Sequence, residues 1–310
     1  MTLPSATGTF GTEHAAASGS RAAKRLSRKP GGMRHLMKNW QLGRASAVAL
    51  AGLGGLAVAL VLFYAISTSL KPPSQALLTP ISWFPHPVEW STYSQVFELV
   101  DFGRYFLNSA FVGASVTLLN VITCSLAGYS LAKFRFPGRG LMFAVVMVTL
   151  MIPIEVIYVP LYDLIYHLHW VNNYAGLIVP AGTSAFGVFL MRQGIIGVPD
   201  EMIEAARLDG AAELRVLFRV VMPVVRGSVA ALALFTFMSN WDSFLWPLLV
   251  VQKNSLWTVP VGLDAMQGDY NTSFTVMMAA ALLSMVPTLL LFLALQRRFV
   301  EGVTAFAGQR

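Results

Sequence analysis

Six stretches of this sequence are long and apolar enough to cross a lipid bilayer, and that pattern leaves little freedom in how the chain folds. They run approximately Ala45–Thr68, Phe106–Leu131, Leu141–Leu164, Tyr174–Met191, Val225–Leu249 and Val276–Leu295, where a spanning helix needs about 20 residues. Composition agrees: 55% of the 310 residues are hydrophobic and 12% are charged, against roughly 25% charged in a soluble domain. The expected fold is all-α, a polytopic membrane protein with six transmembrane helices. The first stretch is too long, and the basic segment before it too extended, for a cleaved signal peptide.

The distribution of charge sets the orientation. Of the 22 Lys and Arg, 19 fall on one side of a six-span arrangement. They lie in the N-terminal segment, in the second-to-third connection (Lys133, Arg135, Arg139), in the fourth-to-fifth (Arg192, Arg207, Arg215, Arg219, Arg226) and in the tail. Only Lys71, Arg104 and Lys253 fall on the other side. Positive residues stay cytoplasmic, which predicts both termini inside. The net charge of +7 is therefore a topology signal and not the footprint of a nucleic-acid binder.

The expected organisation has three parts. Residues 1–44, rich in Ala, Ser, Gly and basic side chains, read as a disordered cytoplasmic arm, with Met33 a candidate start. Residues 45–298 form the six-helix domain, and 299–310 a cytoplasmic tail. Cys124, the only cysteine, lies in an apolar run; it can form no intrachain disulfide and reads as a small packed hydrophobe.

Between the fourth and fifth spans, about 199–223, lies a charged cytoplasmic stretch with helix-forming character. Pro199-Asp200-Glu201 is a helix start, with proline tolerated in the first turn and acids at the positive end of the helix dipole. Asp209-Gly210 ends that helix, because glycine accepts the left-handed conformation. A second helix is predicted from about Ala212, with Leu214, Leu217, Phe218 and Val221 on one face and Arg215 and Arg219 on another. The result is a helix–turn–helix with a small-residue edge at Ala205, Ala206, Ala211 and Ala212. Amphipathicity alone fits two roles, a connector resting on lipid headgroups and a docking element for another protein.

The spacing adds more. Glu204-Ala205-Ala206, three residues, Gly210, nine residues, then Val220, Met222 and Pro223 resembles the coupling loop of ATP-binding-cassette importer permeases. Further matches occur in the order of one branch, the maltose-type carbohydrate permeases, in their second, C-terminal-type partner. They are Asn108-Ser109, Ala127 to Gly138, Pro153 with Pro160, Asn240 to Leu248, and Gln296 to Gly302. Val220 and Met222 stand where Ile and Leu are usual, and the tail from Thr304 departs from the usual glycine-lysine-glycine type ending.

The resemblance implies a bacterial or archaeal inner-membrane subunit. It would work with a second, different permease, two ATPase subunits carrying ATP and Mg, and an extracytoplasmic solute-binding protein for a carbohydrate or polyol. It further implies that the loop residues Glu204, Ala205, Ala206, Asp209, Gly210, Leu214, Leu217, Phe218 and Pro223 engage an ATPase.

The chain itself carries no nucleotide chemistry, since no Gly-Lys pair exists for a phosphate loop. It has no His-Glu-x-x-His pattern, and His167 with His169 lack a third ligand. No catalytic residue, metal site or cofactor is expected. Glu155 and Asp242 fall at similar depth in the third and fifth spans, Glu155 roughly 21 Å from the cytoplasmic end. An ionisable group there costs about 2.5–3.5 kcal/mol unless it meets water or a partner. With Ser109, Tyr158, Asn240 and Trp241 these residues form a candidate polar and aromatic layer facing a substrate pathway. A packing network among the spans is the competing reading. Glu155 or Asp242 could also serve an ion site in a secondary transporter, and a glycerol phosphate is a compatible non-sugar substrate.

Overall fold

The structure, a computed structural model, describes residues 31–77, 80–268 and 272–307, with side chains from 46 onward except at 295 and 297–307. The chain divides after Phe63 into two units. The first is a single helix, α1, Gly31–Ser69, which runs past the division. It carries the candidate span Ser46–Ser69. Residues 31–44, expected to be part of a disordered arm, are helical and continuous with the span; the apolar helix propagates into its basic flank. The arm residues 1–30 lie outside the described residues.

Every regular element among the described residues of the second unit is a helix. After α2, Ser91–Leu99, comes α3, Phe102–Lys133, an unbroken 32-residue helix. Next are α4, Arg139–Thr149, and α5, Ile154–His167, bent against each other by 100°. Pro153 sits at the bend and disfavours helix at the residue before it. Two shorter helices follow, α6, Tyr174–Ile178, and α7, Ala185–Ile196, broken around Pro180.

The charged stretch folds as α8, Asp200–Leu208, and α9, Glu213–Val216. A π-helical turn, Leu217–Val221, and one helical turn, Met222–Val224, lead to α10, Arg226–Trp241, after an 89° bend. The chain closes with α11, Leu245–Val250, α12, Val259–Gly268, and α13, Phe274–Ala307. The last helix overruns the expected start of the tail at 299.

Among the described residues three helices are long and apolar enough to span, Ser46–Ser69, Phe102–Lys133 and Phe274–Ala294, and the count rises to five if each bent pair is one span. The fourth predicted span is not continuous, being the α6–α7 pair.

Helix α3 is the centre of the second unit and packs on α7 and α10, while α10 packs on α13. The α3–α7 approach needs Gly128, where a Cβ would stand 2.8 Å from the Arg192 backbone nitrogen. One apolar cluster joins Cys124, Met191, Ile195, Leu217 and Leu232. A second joins Val96, Phe102, Tyr105, Trp241 and Met266, and a third Val112, Ile165, Leu177, Trp246 and Val250.

The α6–α7 break is a polar seam inside this packing. Asn120 is buried; its Nδ2 donates to the Ala181 carbonyl at 2.5 Å, and its Oδ1 accepts from Ser184 Oγ at 2.9 Å. Thr123 Oγ1 donates to the Gly182 carbonyl at 2.8 Å. Irregular backbone at this depth persists because side chains of α3 satisfy it. Cys124, fully buried beside the seam, fills the space that faces Gly187.

Candidate functional site

The residues predicted to form the loop come together at the end of the unit that carries the basic connections. Glu201 and Asp200 occupy the first turn of α8 and Arg207 the last, the charge order that complements the helix dipole. The helix closes on Gly210, whose φ is +79°. There the Ala211 N–H donates to the Ala206 carbonyl and the Gly210 N–H to the Arg207 carbonyl, each at 3.0 Å. This paired closure uses the left-handed glycine. A side chain at Gly210 would meet no neighbour, so only the backbone conformation demands glycine there.

Helix α8 turns one face inward, burying Ile203, with Ala206 and Ala211 half-buried against the same cluster. Glu204, Ala205, Asp209 and Gly210 are exposed. So are Leu208 at 89%, Leu214 at 61% and Phe218 at 40%. The expected single face of Leu214, Leu217, Phe218 and Val221 is not what forms. Val216, Leu217 and Val221 are buried while Leu214 and Phe218 point outward. The π-helical turn changes the angle per residue, so the 3.6-residue periodicity fails across 217–221. Pro223, exposed, lacks the N–H that an α-helix would direct at Arg219.

Four side chains that hold the loop were not among the sequence candidates. Lys133 Nζ donates to Asp200 Oδ1 and to the Val198 carbonyl, both at 2.6 Å. Tyr129 Oη donates to Glu213 Oε2 at 2.8 Å, and Arg207 Nε donates to Glu213 Oε1 at 2.7 Å. The Arg207 guanidinium also lies 5.8 Å from the Phe134 ring centroid. Hydrogen bonding from Arg207 holds the Glu213 carboxyl below its ordinary pKa, with Tyr129 adding to the effect. Arg207 is correspondingly raised, and Lys133 lowers Asp200. Beside these groups lies a cleft of about 310 Å³ lined by Lys133, Arg135, Asp200, Ile203, Glu204 and Arg207. The Glu-Ala-Ala spacing marked the loop, but nothing local in the sequence paired Tyr129 with a residue 84 positions away.

Where the six pathway candidates have side-chain partners, those partners are separate. Ser109 is buried and accepts from the Val259 N–H at 2.8 Å. Trp241 is 2% exposed, donates to the Ser284 carbonyl at 2.9 Å and stacks on Phe237. Both are occupied in packing. Glu155 is exposed in the first turn of α5, and Tyr158 packs on Trp246 with ring centroids 5.2 Å apart. Asn240 bonds within its own helix to the Thr236 carbonyl, and Asp242 is exposed just past the end of α10. Among the described residues no group of three or more His, Cys, Asp or Glu is placed to hold a metal.

Broken apolar helices packed on the continuous α3, with a charged, glycine-closed helix near the basic connections, are the architecture of a polytopic membrane protein. The family model described as binding-protein-dependent transport system inner membrane component matches residues 124–304, and the chain belongs to that family. It is similar to the arabinooligosaccharides transport system permease protein AraQ of Halalkalibacterium halodurans, 32% identical over 77% of this chain and 87% of that one. It is also similar to the sn-glycerol-3-phosphate transport system permease protein UgpE of Pectobacterium atrosepticum, 35% identical over 81% and 92%. Among solved structures, a bacterial ABC transporter involved in import of the acidic polysaccharide alginate superposes with a TM-score of 0.74 at 21% identity, covering 84% of this chain and 97% of that one. At that identity the likeness is one of fold. The permease family that the resemblance implies is thus shown, and the chain is an inner membrane permease component of a binding-protein-dependent transport system.

Proposed function

We propose that this chain is one of two different permease subunits of an ATP-driven importer for a carbohydrate or polyol, and that the loop 199–223 docks an ATPase subunit on the cytoplasmic side. The carrying observation is the exposure of Leu208, Leu214 and Phe218 on a charged element outside the apolar spans. Large apolar side chains exposed on an element that also exposes Glu204, Arg215 and Arg219 have the composition of a protein-docking surface. Two such ATPases, closing on ATP and Mg, would press the two loops together. The passage then opens outward to a solute-binding protein, and hydrolysis resets it.

In this reading there are six spans, with α6–α7 a broken fourth and α10–α11 a broken fifth. The basic end faces the cytoplasm with both termini, and no chemistry is done by this chain. The substrate class draws support from the relatives, whose names specify arabinooligosaccharides and sn-glycerol-3-phosphate; the second keeps a glycerol phosphate as the alternative substrate. Glu155, Tyr158, Asn240 and Asp242 remain the proposed pathway residues, because a carboxylate exposed on a membrane helix requires water or a polar partner. Ser109 and Trp241 leave that set, since their polar atoms are already used.

The test is the double variant Glu204→Lys, Gly210→Val. It reverses charge at the docking face and places a β-branched residue at positive φ. Purified complexes are expected to lose the ATPases and uptake while the chain still inserts. Normal assembly and transport by this variant would defeat the docking assignment.

A further inference from the structure

Helix α8 is held to the body by little apolar surface, since only Ile203 is fully buried there. The chain enters it through Gly197 to Pro199 and leaves through a π-helical turn and an 89° bend. Both covalent connections are therefore breaks in helix. The firm attachments run to a helix not connected to it in sequence. Lys133 grips the start of α8 through Asp200 and Val198. Tyr129 grips Glu213, which in turn holds Arg207 at the end of α8.

Helix α3, which carries both, runs 32 residues without proline, about 48 Å at 1.5 Å per residue. Its other end is gripped in the same manner. Asn108, buried, donates to the carbonyls of Ser255 at 3.1 Å and Trp257 at 2.8 Å, and accepts from Tyr174 Oη at 2.6 Å. Tyr105 Oη donates to Asn254 Oδ1 at 2.6 Å. The other membrane helices of this unit are broken or carry an internal proline, as at Pro160 and Pro287.

We propose that α3 is the rigid member joining the ATPase-docking loop to the segment 254–259 at the opposite end, with Tyr129, Lys133 and Glu213 as positioning residues at one end and Asn108 at the other. This rests on the docking assignment above. Motion imposed on α8 passes into α3 and reaches 254–259, while α10 slides relative to the loop at the bend.

The experiment uses the assembled transporter in proteoliposomes, with spin labels in a Cys124→Ala background. One pair joins Ala212→Cys with Leu126→Cys on α3, the other Ala212→Cys with Ser239→Cys on α10. On binding ATP, the first distance is expected to stay constant and the second to change. A change in the first by more than about 2 Å, the scale of helix shifts in switching proteins, overturns the proposal. A second measurement follows the ratio of ATP hydrolysis with loaded binding protein to hydrolysis without it, per assembled complex. In Tyr129→Phe this ratio is expected to fall about tenfold, within the usual range of coupling between sites. A purely structural role would lower yield and melting temperature and leave the ratio unchanged, which refutes the positioning role. If Glu204→Lys, Gly210→Val sheds the ATPases while Tyr129→Phe keeps the full ratio, docking stands and the α3 linkage falls. If the double variant assembles and transports, docking itself falls.

Discussion

Helix α8 and the break between α6 and α7 are both short passages anchored on α3, yet the anchors differ in kind. At α8 they involve ions: Lys133 to Asp200, and Tyr129 to the Glu213 carboxylate that is itself paired with Arg207. At the break they are neutral: Asn120 and Thr123 to the carbonyls of Ala181 and Gly182. Asp200 keeps 71% of its side chain exposed while Lys133 keeps 9%, so only one partner of that ion pair leaves water. Asn120 is 1% exposed, where an ion would be prohibitive and an unpaired amide nearly so. The apolar interior therefore favours amides and hydroxyls as ties, and the wet end favours ions. The first kind fixes a fold firmly. The second holds the element proposed to dock an ATPase.

The largest effect should come from breaking the neutral tie. Asn120→Leu removes the donor to the half-buried Ala181 carbonyl and the acceptor of the Ser184 hydroxyl, which keeps its bond from the Gly187 N–H, and a loss of about 2 kcal/mol is expected. Thermal unfolding of the purified complex in detergent measures it. A melting temperature matching the parent protein would show that the break does not depend on this amide.

Next in size is Cys124→Ala. The thiol makes only long contacts, 3.5 Å to Asn120 Oδ1 and 3.5 Å to the Ser184 carbonyl. Removing it should leave a small cavity costing about 1 kcal/mol and preserve transport. Lost uptake in a normally melting complex would give the cysteine a role beyond filling space.

The smallest effect is expected from acid on the charged tie. The Glu213 and Asp200 carboxyls are held below their ordinary values. Their contribution is complete above the unfolded-state value, near pH 4, and fades as pH falls through the lower folded-state values. Because these side chains are well exposed, global stability should barely move across that range. Proteolytic sensitivity at 200–213 should rise while the melting temperature holds. Equal loss at both would erase the distinction between the two anchors.

Much of the site was legible in the residues. Pro199, Gly210 and the acids at Asp200 and Glu201 gave the start and close of α8, because caps and left-handed glycines are local demands. The faces of 213–221 were misread, because a π-helical turn alters the period that the reading assumes. The roles of Tyr129, Lys133 and Glu213 could not be seen, because their partners lie far away in sequence. Ser109 and Trp241 looked like pathway residues from depth alone, but depth does not reveal whether a polar atom already has a partner.

By itself the sequence determined an all-helical membrane chain, the buried state of Cys124 and the permease family. These follow from composition, spacing and backbone preference, which act over a few residues. Tertiary structure alone decided where the spans break, which faces of the loop are free, and that α3 rather than its sequence neighbours grips that loop. Those outcomes depend on which distant polar groups meet once the apolar faces have packed, and pairing of that kind leaves no local pattern in the chain.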